Sequence, residues 1–214
     1  MIVVHEIGHF LMAKVLNIEV DKIYLYPFGG ISKFFLPLNI SLSKELIILI
    51  AGPLAQELAK IILITIFSKY ENIIIMYHYG ILLFNLLPVY PLDGGKLINL
   101  LLNIVFPFKK SLKLIIYTSY LTIIFYFIIN FKTININTII IVIFLSYKVI
   151  KEQKQINYIY EKFMLERYLN NYKFKKSKLI KTPNSFYKNA RHIINENNKY
   201  YLEKEYLQKK YKKV

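Results

Sequence analysis

Apolar residues occur in long blocks along the first 150 residues rather than at the regular spacing of a soluble core. Five blocks stand out: 1–16, 46–67, 73–105 with polar interruptions, 112–131 and 134–150. A membrane-crossing helix needs about 20 residues that rise about 1.5 Å each. The first block is short, and the last is long enough only with its polar start included. The pattern predicts an all-α polytopic membrane protein with about five transmembrane segments.

Charged residues are distributed unevenly along the chain, and their distribution predicts a domain boundary near residue 150. The chain has a formal net charge of +16, of which residues 151–214, with 17 basic and 6 acidic side chains, hold +11. Cytoplasmic flanks of membrane proteins are rich in Lys and Arg, and anionic lipid head groups attract them. We therefore expect a membrane domain over 1–150 and a basic, helical cytoplasmic tail over 151–214. The lipid bilayer, and no nucleic acid, is the expected partner of this tail.

The same rule gives an orientation for the apolar segments. If the tail is cytoplasmic, segment 134–150 runs inward and segment 112–131 runs outward. Most basic residues of the connecting loops then fall inside, and only two fall outside, Lys69 and Lys132. This distribution agrees with the positive-inside rule. The first apolar segment would then descend toward the cytoplasm.

The first apolar block contains a candidate metal motif, His5-Glu6-Ile7-Gly8-His9. Helical residues four apart share a face, so His5 and His9 can point their imidazoles at one ion. Two imidazoles and a third ligand leave a tetrahedral Zn²⁺ with room for water, whose proton Glu6 can take. H-E-x-x-H also arises by chance, but a charge at the centre of a membrane helix costs about 2.5–3.5 kcal/mol. The chain has no cysteine, so the third ligand must be His or carboxylate.

Asp93 is the candidate third ligand. The run from Asn85 to Lys96 is an apolar helix interrupted by two prolines and followed by an acid and two glycines. Such irregular backbone occurs at membrane depth only where protein or a wet cavity surrounds it. Asp93 is also the only acidic residue between Glu71 and Glu152, and a lone intramembrane carboxylate needs a partner. The alternative is a kinked surface loop in which Asp93 is simply hydrated.

These motifs together resemble the site-2 protease family of intramembrane zinc metalloproteases, and its sporulation branch in particular. The resemblance covers roughly residues 1–175. It is carried by His5–His9 and by Asn85-x-x-Pro88-x-x-Pro91-Leu92-Asp93-Gly94, and it extends to Tyr26–Gly30, Ile50–Leu54, Leu86–Leu97 and Phe163–Tyr168. It implies a metal site between the H-E-x-x-H helix and the proline-broken helix. A short interfacial β-hairpin is expected over Ile23–Phe35, with an aromatic membrane anchor as the alternative.

The resemblance also implies an activity, regulated intramembrane proteolysis. His5, His9 and Asp93 would hold Zn²⁺, and Glu6 would act as general base and then acid. Asn85 would contact the substrate, together with Pro88 and Gly94. In the sporulation branch the substrate is a membrane-associated sigma factor precursor, pro-sigma K, and inhibitory membrane proteins hold the enzyme inactive. The active site would face the cytoplasm of the mother cell.

The chain departs from the branch at both ends. The branch has a transmembrane helix before the H-E-x-x-H helix, and a nucleotide-binding domain of the cystathionine-β-synthase type after the tail. We expect coding sequence upstream of Met1, only a remnant of the regulatory domain over 151–214, and no nucleotide sensing. Two other functions stay open at this point: a truncated, catalytically inactive relative that binds substrate or partners, and a transporter-like protein whose broken helix binds an ion.

Overall fold

The computed structural model describes residues 1–18, 36–133, 135–174, 176–196 and 199–212. The described residues form seven α-helices and one three-stranded sheet. The helices are α1 (Ile2–Val15), α2 (Leu42–Ile66), α3 (Glu71–Asn85), α4 (Asp93–Val105), α5 (Phe108–Ile129), α6 (Ile136–Leu169) and α7 (Glu203–Tyr211), and the strands are β1 (Ser177–Ile180), β2 (Arg191–Glu196) and β3 (Lys199–Leu202). The chain divides into two compact units, Met1–Leu87 and Pro88–Val214.

Helices α1, α2 and α3 make up the first unit. Ser41 caps the start of α2, and its hydroxyl oxygen accepts a hydrogen bond from the Lys44 backbone N–H at 3.4 Å. This cap satisfies one of the donors that a helix start leaves open. The helix then continues through Pro53. The predicted hairpin between α1 and α2 lies outside the described residues.

The surface of α1 is inverted relative to a soluble amphipathic helix. Its exposed stripe is apolar and repeats every fourth residue: Val3, Ile7, Leu11 and Val15. The opposite face is buried and holds both histidines of the motif together with Gly8 and Ala13. A soluble helix turns its polar side outward, so this arrangement fits a lipid environment.

Two helices of the described residues, α2 and α5, are long and apolar enough to cross a membrane. They coincide with the predicted blocks 46–67 and 112–131. The block 73–105 divides into α3 and α4 at its prolines, and the first and last blocks correspond to α1 and the start of α6. The helical character of the chain is therefore confirmed, whereas the number of five crossings stays a prediction.

The second unit contains α4 to α7 and the sheet. Helix α6 has 34 residues and passes Lys151 without a break. At about 1.5 Å per residue it is about 51 Å long, well beyond a hydrocarbon core of about 30 Å. The predicted domain boundary at Lys151 thus falls inside one continuous helix. The division of roles on either side of Lys151 stays a prediction.

The basic tail is not helical throughout, which is a difference from the expectation. After α6 the chain forms β1, which pairs in parallel with β2, and β2 pairs in antiparallel with β3. Arg167, near the end of α6, organises this region from a buried position. Its guanidinium donates to the carbonyls of Tyr187, Lys188 and Ala190 and to the Glu203 carboxylate. One buried cation therefore ties the helix, the loop before β2 and the start of α7 together.

Candidate metal centre

The two histidines of the motif lie side by side on the buried face of α1. His5 and His9 are 0% and 4% exposed, and their Nε2 atoms are 3.2 Å apart. The rings meet edge to face, with centroids 4.8 Å apart. The spacing of four residues predicts that the two imidazoles share one face of the helix, and both do present Nε2 to the same point.

The hydrogen bonds of Gln56 define the tautomer of His5. A backbone carbonyl can only accept, so the end of the Gln56 side chain that lies 2.9 Å from the His78 carbonyl oxygen must be the amide nitrogen. The other end is then the amide oxygen, and it lies 2.9 Å from His5 Nδ1. Because this oxygen also only accepts, His5 carries its proton on Nδ1. The Nε2 lone pair of a neutral His5 is therefore directed away from Gln56.

The same reasoning applies to His9. Its Nδ1 lies 2.7 Å from the carbonyl oxygen of Ile48 in α2, so Nδ1 donates and the neutral ring has its lone pair on Nε2. Two lone pairs then face each other at 3.2 Å. A hydrogen bond between them would require one imidazole to carry protons on both nitrogens.

A bound cation is compatible with two lone pairs that face each other, and the donor set fits zinc. Nitrogens that each lie about 2.0–2.1 Å from a tetrahedral Zn²⁺ are about 3.3 Å apart, close to the distance between the two Nε2 atoms. Metal-binding histidines usually donate their second ring N–H to a carbonyl or carboxylate oxygen, as both rings do here. Two imidazoles without thiolates are ligands that suit zinc among the common divalent ions.

Two glycines make room for this arrangement. A Cβ atom on Gly52 would lie 2.4 Å from Cε1 and Nε2 of His9, so any side chain there would displace the imidazole. A Cβ atom on Gly8 would lie 2.6 Å from the Ala51 carbonyl oxygen and from the Ala55 Cβ. The close helix packing that small residues allow in membranes is therefore used here to seat a histidine ring against α2.

Glu6 follows His5 directly on α1 and is half-buried. Its carboxylate therefore belongs to the same turn of α1 as the two imidazoles. A carboxylate in this position has the chemistry of a general base, because it can accept a proton from water and pass it on.

The proline-broken segment in the second unit ends in a buried carboxylate. Asp93 is the first residue of α4, where the positive end of the helix dipole favours an anion. Lys96, one turn later, lies with its Nζ 3.0 Å from Asp93 Oδ1. Asp93 thus has the partner that a buried carboxylate requires, and its side chain offers two oxygens as possible ligands.

Packing within this unit holds the segment before Asp93 in place. A Cβ atom on Gly95 would lie 2.5–2.6 Å from the backbone of Val89 and Tyr90, so only glycine lets α4 approach the segment this closely. The Tyr90 N–H donates to Ser119 Oγ of α5 at 2.9 Å. The sequence prediction that irregular backbone survives here because it is enclosed in protein agrees with these contacts.

The predicted substrate-contact residues have different surroundings. Asn85 is the last residue of α3 and is half-buried, Pro88 is half-buried in the break, and Gly94 is buried in the first turn of α4. Asn85 belongs to the first unit, whereas Pro88 and Gly94 belong to the second. Their roles stay predictions.

Sequence reasoning missed Gln56 and Lys96. The signal for Gln56 was present, because an uncharged polar residue within an apolar span requires a partner, but the partner could not be identified without the arrangement of the helices. His78, which has no second ligand at metal spacing in the sequence, is fully buried in α3.

Several known proteins are similar to this chain in sequence. Residues 1–72 match peptidase family M50. Stage IV sporulation protein FB of Bacillus subtilis is 31% identical over 175 residues, which is 78% of this chain and 61% of that protein. The first 72 residues thus match a peptidase M50 domain, the domain of the site-2 proteases. A zinc metalloprotease of Methanocaldococcus jannaschii is 32% identical over 122 residues, 53% of this chain and 35% of that protein. The chain spans less than two thirds of the length of either relative.

Proposed function

We propose that this chain is a member of peptidase family M50 and an intramembrane zinc metalloprotease that hydrolyses a peptide bond of a membrane-associated protein. One observation carries the proposal: the facing Nε2 atoms of His5 and His9, 3.2 Å apart, with both Nδ1 atoms directed at oxygen acceptors. The match of residues 1–72 to peptidase family M50 supports it, and so does the exposed apolar stripe of α1, which fits a lipid environment.

The proposed metal ligands are His5, His9 and Asp93. Two observations support the inclusion of Asp93. Its carboxylate is buried, and it lies at the start of a helix that follows the proline-containing segment. When bound, zinc supplies a Lewis acid that polarises the scissile carbonyl and makes water a stronger acid. A third ligand from oxygen gives the His₂–carboxylate set typical of catalytic zinc sites.

Glu6 is the proposed general base and acid. Its carboxylate accepts one proton from the attacking water while the water oxygen bonds to the carbonyl carbon of the scissile peptide. The same carboxyl group then gives this proton to the departing amine as the carbon–nitrogen bond breaks. Glu6 is thus regenerated as a carboxylate, and one water is consumed for each bond cut.

The proposed substrate is pro-sigma K, the precursor of a sporulation sigma factor. Support comes from the resemblance to the sporulation branch and from the similarity to stage IV sporulation protein FB. Asn85, Pro88 and Gly94 are the proposed substrate contacts, because they lie at the end of α3, within the break and directly after Asp93. Inhibitory membrane proteins are the proposed regulators. The charge distribution supports a multi-pass protein whose active site faces the cytoplasm.

Metal analysis of the purified chain tests the ligand set. We expect about one zinc per chain, retained after Glu71→Gln, which removes an acidic side chain outside the proposed set. His5→Ala and Asp93→Asn should each lose most of the zinc, because two ligands hold the ion far more weakly than three. A wild-type chain without zinc would contradict the proposed function. Full zinc content in Asp93→Asn would show that another residue is the third ligand.

A further inference from the structure

Gln56 is a buried amide that joins three helices within the first unit. It lies on α2 and is 0% exposed. Its oxygen accepts from His5 Nδ1 of α1 at 2.9 Å, and its nitrogen donates to the His78 carbonyl of α3 at 2.9 Å. Both ends of the side chain are therefore used. An apolar side chain would fill the same space without needing hydrogen bonds. The amide of Gln56 needs them, and it makes them to two other helices.

The position of Gln56 on α2 explains its reach. It lies four residues, about one helical turn, after Gly52 and so on the same face of the helix. Gly52 gives room to the His9 ring, and Gln56 contacts the His5 ring. One face of α2 therefore contacts both imidazoles. Gly52 and Gln56 are four residues apart on α2, as His5 and His9 are on α1.

A neutral imidazole has two tautomers, and only one of them presents Nε2 as a ligand. The Gln56 oxygen selects the tautomer with the proton on Nδ1, because a hydrogen bond from Nδ1–H is the contact that satisfies this oxygen. The His78 carbonyl in turn keeps the amide from flipping, because an inverted amide would set two oxygens against each other. The ring orientation of His5 is therefore fixed through Gln56 by the backbone of α3.

We propose that Gln56 is a positioning residue of the metal centre, which acts through His5 and makes α3 part of the support of the site. This inference rests on the proposed function in one respect, namely that the imidazole pair binds a metal. The ring of His78 links α3 to α2 a second time, because its Nε2 lies 3.0 Å from a Glu57 carboxylate oxygen.

Cobalt binding to the 214-residue chain in detergent tests the inference without recourse to proteolysis. Co²⁺ is added to metal-free protein, and its visible absorption reports both affinity and coordination geometry. Gln56→Met keeps the length of the side chain but removes its polar atoms, so Co²⁺ affinity should fall about 10–100-fold and the spectrum should change. Gln56→Glu retains an oxygen acceptor for His5, and its protonated form can donate to the His78 carbonyl. This variant should bind Co²⁺ within about threefold of wild type.

Asn103→Leu is the matched control for loss of a buried amide. Asn103 is 1% exposed in α4, and its amide donates to the Asn99 carbonyl at 2.8 Å. This variant should keep the Co²⁺ affinity and spectrum of wild type. Equal losses in Asn103→Leu and Gln56→Met would overturn the inference, because they would show a general loss of stability.

The remaining outcomes separate this inference from the proposed function. A wild-type chain that binds no Co²⁺ would contradict the proposed function. A wild-type chain that binds Co²⁺ no better than Gln56→Met would overturn the role of Gln56 alone. Should Gln56→Met fail to fold, Gln56→Asn keeps a buried amide but withdraws it from His5 by one methylene. An unchanged Co²⁺ affinity and spectrum in Gln56→Asn would likewise overturn the inference.

Discussion

At the scale of single residues, the protonation of the imidazole pair follows from groups that cannot change their role. The carbonyls of Ile48 and His78 can only accept hydrogen bonds, and from them the tautomers of His9 and His5 follow in turn. Backbone carbonyls of α2 and α3 thus determine that the Nε2 lone pairs of His5 and His9 face each other. A cation site is the arrangement in which these contacts agree with one another.

Gly52→Ala should weaken metal binding, because the added Cβ would lie 2.4 Å from the His9 ring and must displace it. We expect the affinity for Zn²⁺ to fall by roughly tenfold or more, the size of effect seen when the orientation of a metal ligand is disturbed. Competition with a chromogenic chelator measures this affinity. Gly80→Ala is the matched control, since nothing lies within 4 Å of a Cβ at Gly80. Equal affinities in the two variants would contradict the packing argument.

The residues of the motif were predictable from the sequence, and their supporting groups were not. His5 and His9 are four apart on a helix, so a shared face follows from helix geometry alone. Gln56 supports His5 from another helix, 51 positions further along the chain. Such a contact depends on how α1 and α2 pack, which no local pattern in the sequence specifies.

At the scale of elements, the apolar blocks predicted the helices well because length and hydropathy are local properties. The proline-broken break between α3 and α4 was also predicted, since proline cannot continue a helix without losing a hydrogen bond. The strands after α6 were missed. They have only four to six residues in a segment rich in Lys and Tyr, and β1 pairs with a strand that begins 14 positions later. Neither a period of two nor a turn signal marks them clearly.

Helix α6 should leave the membrane part-way along its length. The absence of cysteine in the chain makes single-cysteine labelling clean. Ile140→Cys and Tyr158→Cys replace side chains that are 57% and 71% exposed in the structure. In sealed inverted vesicles, a membrane-impermeant maleimide should label position 158 and spare position 140, which lipid covers. Labelling of both positions, or of 158 only from the opposite face, would contradict the proposed topology.

The C-terminal sheet should lose stability in mild acid. Burial lowers the pKa of His192 below its usual 6.5, and the hydrogen bond to Glu203 opposes this only in part. The charges of Arg167 and Lys178 add to the lowering. The Tyr187 N–H donates to His192 Nε2 at 2.9 Å, a bond that requires the neutral ring. The unfolded chain therefore binds a proton more readily, and the stabilisation is lost as the pH falls below about 6.5.

Amide exchange measures this acid sensitivity. After correction for intrinsic rates, protection of residues 191–207 should decrease between about pH 7.5 and 5.5, as expected when the unfolded form takes up the proton. His192→Asn keeps a donor toward Glu203 but has no titrating ring, so its protection should not depend on pH in this window. Burial would raise the pKa of Glu203, but hydrogen bonds and charges from His192 and Arg167 lower it below 4.5, so Glu203 acts only in stronger acid. The same pH dependence in both proteins would contradict the role of His192.

At the scale of the whole molecule, the inward-facing polar groups of the candidate metal centre are consistent with the apolar outer surface of the helix that holds them. The first unit has an imidazole pair on the buried face of a helix whose outer face is apolar. Similarity to a sporulation protein extends over 78% of the chain, well beyond the motif helix. A site that performs hydrolysis in such surroundings needs its polar groups directed inward and supported by neighbouring helices, as they are in the first unit.

The most direct test of the central claim is cleavage of pro-sigma K by the chain and its Glu6→Gln variant, expressed together with the substrate in cells. The wild-type chain should produce a shortened sigma factor. Glu6→Gln should reduce the amount of product by a factor of about 10²–10⁴ while the purified variant keeps its zinc, because the role proposed for Glu6 is proton transfer and not metal binding. Undiminished cleavage by Glu6→Gln, or no cleavage by a zinc-loaded wild-type chain, would contradict the account.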